Sequence, residues 1–269
     1  MVELSRIVRF CVNPGGGSVA GTNGFGGKPP MRGLGRYYEL EILCRGEPDR
    51  ATGYLVNIKD LDRAAWEHAV PIIAQACRER PETEPAEVLP EIAAALAQAL
   101  PGLAARVRWR LTPTYSVETG VNERPPAPPR VLLRQRFDFA AAHRLHVPSL
   151  TPQENVRTFG KCNNPSGHGH NYVYEPCVAV TLGEGGEPFG LAELERLCEE
   201  VLTEAFDHKH LNRDTREFAE AGGANPSVEN IARVFFERLA PAVRAASERA
   251  ELVSMTVWET DRTSCTYPG

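Results

Sequence analysis

The chain has 269 residues, enough for one large domain or two ordinary ones, with 42% hydrophobic and 24% charged residues and a formal net charge of −5. This globular, mildly acidic composition offers no cationic footprint for nucleic acid, and no apolar run is long enough to cross a bilayer, so neither partner is expected. The opening MVELSRIVRF lacks the long apolar core of a secretory leader, and the seven scattered cysteines form no CxxC pair; free thiols in a cytoplasmic protein are expected.

In chain order, residues 1–118 read as strand, long loop, strand, helix, helix, strand. The second strand lies in RGLGRYYELEILCRG, the helices in YLVNIKDLDRAAWEHAV and PAEVLPEIAAALAQAL, and the last strand in RVRWRLT. Residues 119–130, TGVNERPPAPPR, place four prolines in five positions; such a run neither continues a helix nor sits in a sheet centre, and reads as a stiff interdomain linker. Residues 131–269 repeat the order. RQRFDF alternates like a strand, and HNYVYEPCVAVTL is a second, with Pro176 hinting at an edge or bulge. GLAELERLCEEVLTEAF sets Leu191, Leu194, Leu197, Val201 and Leu202 on one helical stripe. A second helix starts at NPSVEN, capped by Asn225 or Ser227 with Pro226 tolerated in the first turn, and LVSMTVWET closes the unit. The expected class is α+β, an antiparallel sheet with helices on one face, with an extra short strand near each end left open.

The halves also align in detail. Gly33, Gly35 and Tyr38 match Gly167, Gly169 and Tyr172 at a constant offset of 134. This reads as a tandem duplication; the alternative is two unrelated αβ domains that share generic patterns.

Chemistry-bearing residues concentrate in the second half. It holds six of the seven histidines: 143, 146, 168, 170, 208 and 210. His168 and His170 are two apart, so on a strand both imidazoles share a face and suit a metal. His143 is a candidate third ligand, and three histidines with an open fourth position is a catalytic zinc arrangement. The same spacing also fits exposed polar positions on a strand. Against that, Leu34 and Arg36 occupy the equivalent places in the first half, so the pair has no general folding role. Cys162, six residues before His168 in the turn CNNPSG, fits a thiolate base or nucleophile, a metal ligand, or a small buried cysteine. In FDHKHLN, Asp207 beside His208 fits a carboxylate–imidazole pair or an exposed charged loop. Glu259 in VWETD fits an edge charge or, if pocketed, an acceptor for two N–H groups of a purine or pterin edge.

Taken together, FDFAAAHRL, ENVRTFGKCNNPSGHGHNY, FDHKHLN, NPSVEN and VWETD closely resemble the 6-pyruvoyltetrahydropterin synthase and 6-carboxytetrahydropterin synthase family over essentially all of residues 131–269. The first half resembles the same family more weakly, without its functional residues. The resemblance implies two tandem tunnelling-fold (T-fold) units, each an antiparallel four-stranded sheet with two helices on one face, assembled through their strands into a homo-oligomer, for example a trimer of two-domain chains. It implies Zn2+ held by His143, His168 and His170, Cys162 as general base with Asp207 and His208 as its partner pair, and a pterin anchored by Glu259 with help from Ser227 and Glu229. Val228 departs from the pattern, standing where a small hydroxyl residue is expected. The implied reaction is a lyase conversion of 7,8-dihydroneopterin triphosphate to 6-pyruvoyltetrahydropterin with loss of triphosphate. The alternatives are the carboxy-forming branch of deazapurine (queuosine) biosynthesis and a pterin-binding scaffold without catalysis. Five residues separate Cys162 from His168, the spacing of the pyruvoyl-forming branch.

Overall fold

A computed structural model describes residues 1–15, 26–121, 128–183 and 189–268. The chain divides into two compact units, Met1–Leu133 with Val180–Pro188, and Arg134–Ala179 with Phe189–Gly269. Most of the proline-rich run lies outside the described residues. Its flanks are strand: Thr119 and Gly120 end one strand, Arg130 begins the next, and the Thr119 hydroxyl donates to the Arg130 carbonyl at 2.8 Å.

In the first unit β1 (Val2–Val12) pairs antiparallel with β2 (Arg36–Gly46). Asn57 then caps α1 (Ile58–Ala64) by accepting from the Lys59 amide at 3.0 Å. A five-residue π turn, Ala65–Ala69, passes into α2 (Val70–Glu79), and α3 (Pro85–Ala99) follows. β3 (Ala104–Arg110) adds to β2, and β4 (Tyr115–Gly120) adds to β3, both antiparallel. Strand alternation sorts the two faces. Val8, Phe10, Tyr38, Leu40, Ile42, Val107 and Trp109 are buried, as are Leu61, Ile73, Leu89, Ile92 and Leu96 of the helices. Each such side chain contributes about 1.5–3 kcal/mol on removal from water. The opposite face carries paired charges, including Arg108 with Glu118 at 2.5 Å and Arg110 with Glu41 at 2.8 Å.

In the second unit β6 (Phe137–His143) follows β5 (Arg130–Gln135) after a break at Arg136. It pairs antiparallel with β7 (His168–Thr181), after the helix α4 (Pro152–Phe159). Phe137 faces Tyr174, so the break falls opposite Glu175, beside Pro176, the residue that lacks a ladder N–H. The predicted helical stripe is α5 (Leu191–Cys198), a π turn (Glu199–Thr203) and α6 (Glu204–Phe206). Leu194, Leu197, Leu202 and Phe206 are buried, while Leu191 and Val201 stand at the margin. Next come β8 (Lys209–His210), α7 (Leu211–Asp214), α8 (Val228–Ala246), β9 (Ala250–Thr260) and β10 (Thr263–Tyr267). Ser227, of the two cap candidates, is the N-cap of α8.

For the second unit the expectation of a purely antiparallel, four-stranded sheet is corrected here. β8 runs parallel to β6, with Ala141 opposite Lys209, which makes the sheet mixed, and β10 adds a further strand antiparallel to β9. The parallel pairing arises because the chain reverses at Asp207–His208 and is fastened to the backbone of Ala140 on both sides. A stacked Phe139–Tyr172 pair, ring centroids 4.8 Å apart, packs with Phe235 of α8 beneath the site. Among the described residues no helix is long and apolar enough to cross a membrane.

Candidate metal centre and its cleft

The strand register assembles the three histidines. His143 ends β6 opposite His168, which begins β7, and His170 lies opposite Ala141. Two-residue periodicity puts His168, His170 and Tyr172 on one face, and the methyl side chain of Ala141 leaves room for the imidazoles. The donor nitrogens of His143, His168 and His170 all lie within 4.8 Å of one another.

His143 is fully buried. Its Nδ1 lies 2.7 Å from the Pro226 carbonyl oxygen, and the Tyr172 hydroxyl is 3.3 Å from the same nitrogen. Donation from Nδ1 to Pro226 fixes the tautomer and leaves the lone pair on Nε2, 3.1 Å from Nε2 of His168. Burial lowers the pKa of His143 to about 4, the Pro226 contact opposes this, and the neighbouring imidazoles reinforce it. His168 is also lowered, by burial first and then by His170. Nδ1 of His168 and Nε2 of His170 are buried without a hydrogen-bond partner. Converging imidazoles, with the His143 tautomer set by the Pro226 carbonyl, form a donor set that fits zinc. The Glu259 carboxylate, near the end of β9, lies 3.5 Å from Nε2 of His143 and 3.7 Å from Nε2 of His170.

Cys162 sits in a 3-10 turn, Gly160–Asn163, directly after α4. It is half-buried and lines a cleft of about 910 Å³ together with His168, Arg144, His146, Lys161 and Asn164. Its carbonyl accepts from the Leu145 amide at 2.9 Å, and Asn163 donates to the Leu145 carbonyl at 2.7 Å. Between thiol and ligands comes Gly167 at φ +74; a β-carbon there would stand 2.7 Å from Nε2 of His210 and 3.0 Å from the His143 carbonyl, so the close approach requires glycine.

Asp207 and His208 form the expected pair, with Oδ2 2.6 Å from Nδ1. Oδ1 of Asp207 accepts from the Ala140 amide at 2.8 Å. Burial pushes the carboxyl pKa upward, but the Ala140 amide and His208 outweigh it and hold it below its usual value. His208 adopts φ 55, a costly conformation for a residue with a β-carbon, and its side chain is 82% exposed. Among the described residues no hydrogen bond or ion pair joins this pair to Cys162 or to the three imidazoles. Ser227 spends its hydroxyl at the start of α8, where it also holds the Glu229 carboxyl below its usual value; neither residue is hydrogen-bonded to Glu259. Val228 is buried, which explains the apolar residue at that point of the motif.

A sequence model of the 6-pyruvoyl tetrahydropterin synthase family matches residues 132–269. The chain belongs to the 6-pyruvoyl tetrahydropterin synthase family. It is 36% identical over 140 residues to 6-pyruvoyl tetrahydrobiopterin synthase of Homo sapiens, covering 50% of this chain and 89% of that protein. Identity to the Drosophila melanogaster enzyme of the same name is 34% over 143 residues, 52% of this chain and 81% of that protein. The solved 6-pyruvoyl tetrahydropterin synthase of Caenorhabditis elegans has 33% identity and a TM-score of 0.45, covering 55% of this chain and 99% of that one.

Within this family member, sequence reasoning missed the residues that hold the site's walls. Asn212 brackets Arg144, accepting from its amide at 2.8 Å and donating to its carbonyl at 3.0 Å. Asn225 accepts from the His146 amide at 3.1 Å, and the fully buried Asn155 grips both the amide and the carbonyl of Val147. Each of these asparagines lies inside a recognised motif, Asn155 in ENVRTFG, Asn212 in FDHKHLN and Asn225 in NPSVEN, which was the available signal.

Proposed function

We propose that this chain is a zinc-dependent lyase of the 6-pyruvoyltetrahydropterin synthase type. It converts 7,8-dihydroneopterin triphosphate to 6-pyruvoyltetrahydropterin with loss of triphosphate. The observation that carries this reading is the convergence of three imidazoles beside a cleft whose wall, shared with His168, presents Cys162. When bound by His143, His168 and His170, zinc supplies Lewis-acid polarisation of the substrate's side-chain hydroxyls. Cys162 Sγ, as thiolate, takes the proton from the adjacent carbon, and Arg144 and Lys161 give the cleft positive charge for the triphosphate. Glu259 accepts from the amidine-like edge of the pterin, with Ser227 and Glu229 contributing at that end. His208, kept in one tautomer by Asp207, returns the proton. Its exposure within one chain supports a site completed between chains, and hence a homo-oligomer.

The first unit is proposed to be a degenerate copy of the second. Both contain a helix interrupted by a five-residue π turn after the second strand of the unit's leading pair, which supports duplication over coincidence. The spacing of Cys162 from His168 favours the pyruvoyl product over the carboxy product.

The test is incubation of the zinc-loaded full chain with 7,8-dihydroneopterin triphosphate, with triphosphate and the pterin product identified by mass spectrometry. Triphosphate release with a 6-pyruvoyl product is expected. A 6-carboxy product reassigns the branch, and no release overturns the lyase reading. Cys162→Ala is expected to keep its zinc and lose turnover; loss of the metal would make Cys162 a ligand.

A further inference from the structure

We infer that His146 is a specificity-determining residue of the cleft, donating its Nε2–H to the phosphate chain of the substrate, and that Asn163 sets the tautomer that allows it; the identity of that substrate rests on the lyase reading above.

The buried Asn163 reaches two groups through one nitrogen. Its Nδ2 lies 2.7 Å from the Leu145 carbonyl oxygen and 3.0 Å from Nδ1 of His146. The amide cannot be turned the other way, because its oxygen would then oppose the carbonyl oxygen. An amide NH2 only donates, so it gives one hydrogen to Leu145 and the other to His146. Nδ1 of His146 therefore presents its lone pair to Asn163, and the ring proton sits on Nε2. The backbone around the ring is held as well. The His146 amide donates to Asn225 at 3.1 Å, and the Leu145 amide donates to the Cys162 carbonyl at 2.9 Å.

Among the described residues Nε2 of His146 has no hydrogen-bond partner, and it is not sealed from solvent. The other groups on the cleft wall say which ligand such a donor meets. Arg144 and Lys161 line the same cleft, neither has an ion pair among the described residues, and no carboxylate lines it. Arg144 commits only its Nε, which donates to the Asn163 carbonyl at 3.2 Å, so its two terminal NH2 groups remain for a ligand. One buried asparagine thus orients both donors, Arg144 by its carbonyl and His146 by its amide. Two cations without counter-ions and an N–H without an acceptor suit a phosphate chain, and a bond from the ring N–H to a phosphate oxygen is charge-assisted. Cys162 and His168 stand on the same wall, so phosphates held there lie beside the reacting groups.

Binding of inorganic triphosphate is measured by calorimetry on wild-type, His146→Asn and His146→Gln full chains, freed of metal so that chelation by triphosphate does not enter. Asn keeps an acceptor for Asn163 but carries nothing at the Nε2 position, whereas Gln restores an N–H there. Wild type is expected to bind triphosphate, His146→Asn about tenfold or more weakly, and His146→Gln within about threefold of wild type. Equal affinity in wild type and His146→Asn overturns the role of His146, and no binding by wild type overturns the phosphate site. Binding of 7,8-dihydroneopterin, which has no phosphates, is expected to be equal in all three chains; a loss matching that for triphosphate would make His146 a structural residue and overturn its part in specificity. Heteronuclear NMR of histidine-labelled wild type reads the tautomer, the His146 ring signal being the one absent from His146→Gln. A proton on Nε2 is expected, and a proton on Nδ1 alone overturns the inference. Triphosphate binding that depends on His146, in a zinc-loaded chain that fails to convert 7,8-dihydroneopterin triphosphate, would support the phosphate site and overturn the lyase reading alone.

Discussion

His143 is held neutral at a cost that pH can read. Its folded pKa is about 4 against an ordinary 6.5, so between these values the unfolded chain binds a proton that the folded chain refuses. Stability from this residue is therefore intact above pH 6.5 and declines as pH falls toward 4. For the metal-free chain the loss between pH 7 and pH 5 is about 2 kcal/mol from this ring alone. Denaturant unfolding at the two pH values is expected to show a drop larger by that amount in wild type than in His143→Asn. Equal pH dependence in both chains would contradict the buried neutral imidazole. Zinc affinity is expected to fall in the same direction, since protons compete for Nε2. At this scale much of the site was legible. The two-residue spacing of His168 and His170 already dictated a shared strand face. The tautomer of His143 was not, because its partner, Pro226, lies 83 residues away and contributes only a backbone oxygen.

The elements divide by what holds them. Strands β6 and β7 and the buried stripe of α5 and α6 were readable because alternating or helical apolar patterns write burial into the sequence. Helix α4 was read as part of a long loop, because polar contacts fix it. Thr151 and Glu154 form a capping box at its start, and Asn155 donates to the carbonyls of Val147, Leu150 and Thr151 while accepting from the Val147 amide. The two residues of β8 were unreadable for a different reason: their pairing is set by the Asp207 turn against Ala140 and by no local preference. Asn155→Ala tests the polar scaffold. It strips four hydrogen bonds from buried or half-buried backbone groups in the segment that follows His143 and adjoins the Cys162 cleft. A loss of about 3 kcal/mol is expected in denaturant unfolding, with weaker zinc binding. A loss below about 1 kcal/mol would mean that apolar contacts hold α4 and the loop without it.

At the scale of the molecule, the three-histidine cluster lies in the second unit, and among the described residues the first unit has no counterpart. In the first unit Phe10 faces Tyr38 and Val12 faces Arg36, just as Phe139 faces Tyr172 and Ala141 faces His170 in the second. Extending each register by two residues gives Pro14 and Leu34 where the second unit has His143 and His168. Arg36 takes the place of His170, and Leu34 is 93% exposed. A cation there and two side chains without a donor atom exclude zinc, so one metal per chain is expected by elemental analysis; two would contradict the reading of the first unit as degenerate. The strand edges argue for assembly. Among the described residues β1 pairs only with β2 along eleven residues, and β10 only with β9. Such edges invite pairing with another chain. The exposed His208, strained but fixed by Asp207, is also not hydrogen-bonded to Cys162 or to the three imidazoles among the described residues. Sedimentation is expected to give more than one chain, and three chains with three zinc ions for the assembly that the family resemblance implies. Mixing an inactive Cys162→Ala chain with an inactive His208→Ala chain under conditions of subunit exchange is expected to restore part of the activity. In mixed assemblies some sites combine the intact Cys162 of one chain with the intact His208 of another, and recovery requires the two residues to act across a chain boundary. Failure of exchanged mixtures to recover activity, or a monomer that turns over at the full rate, would place both residues in the site of a single chain.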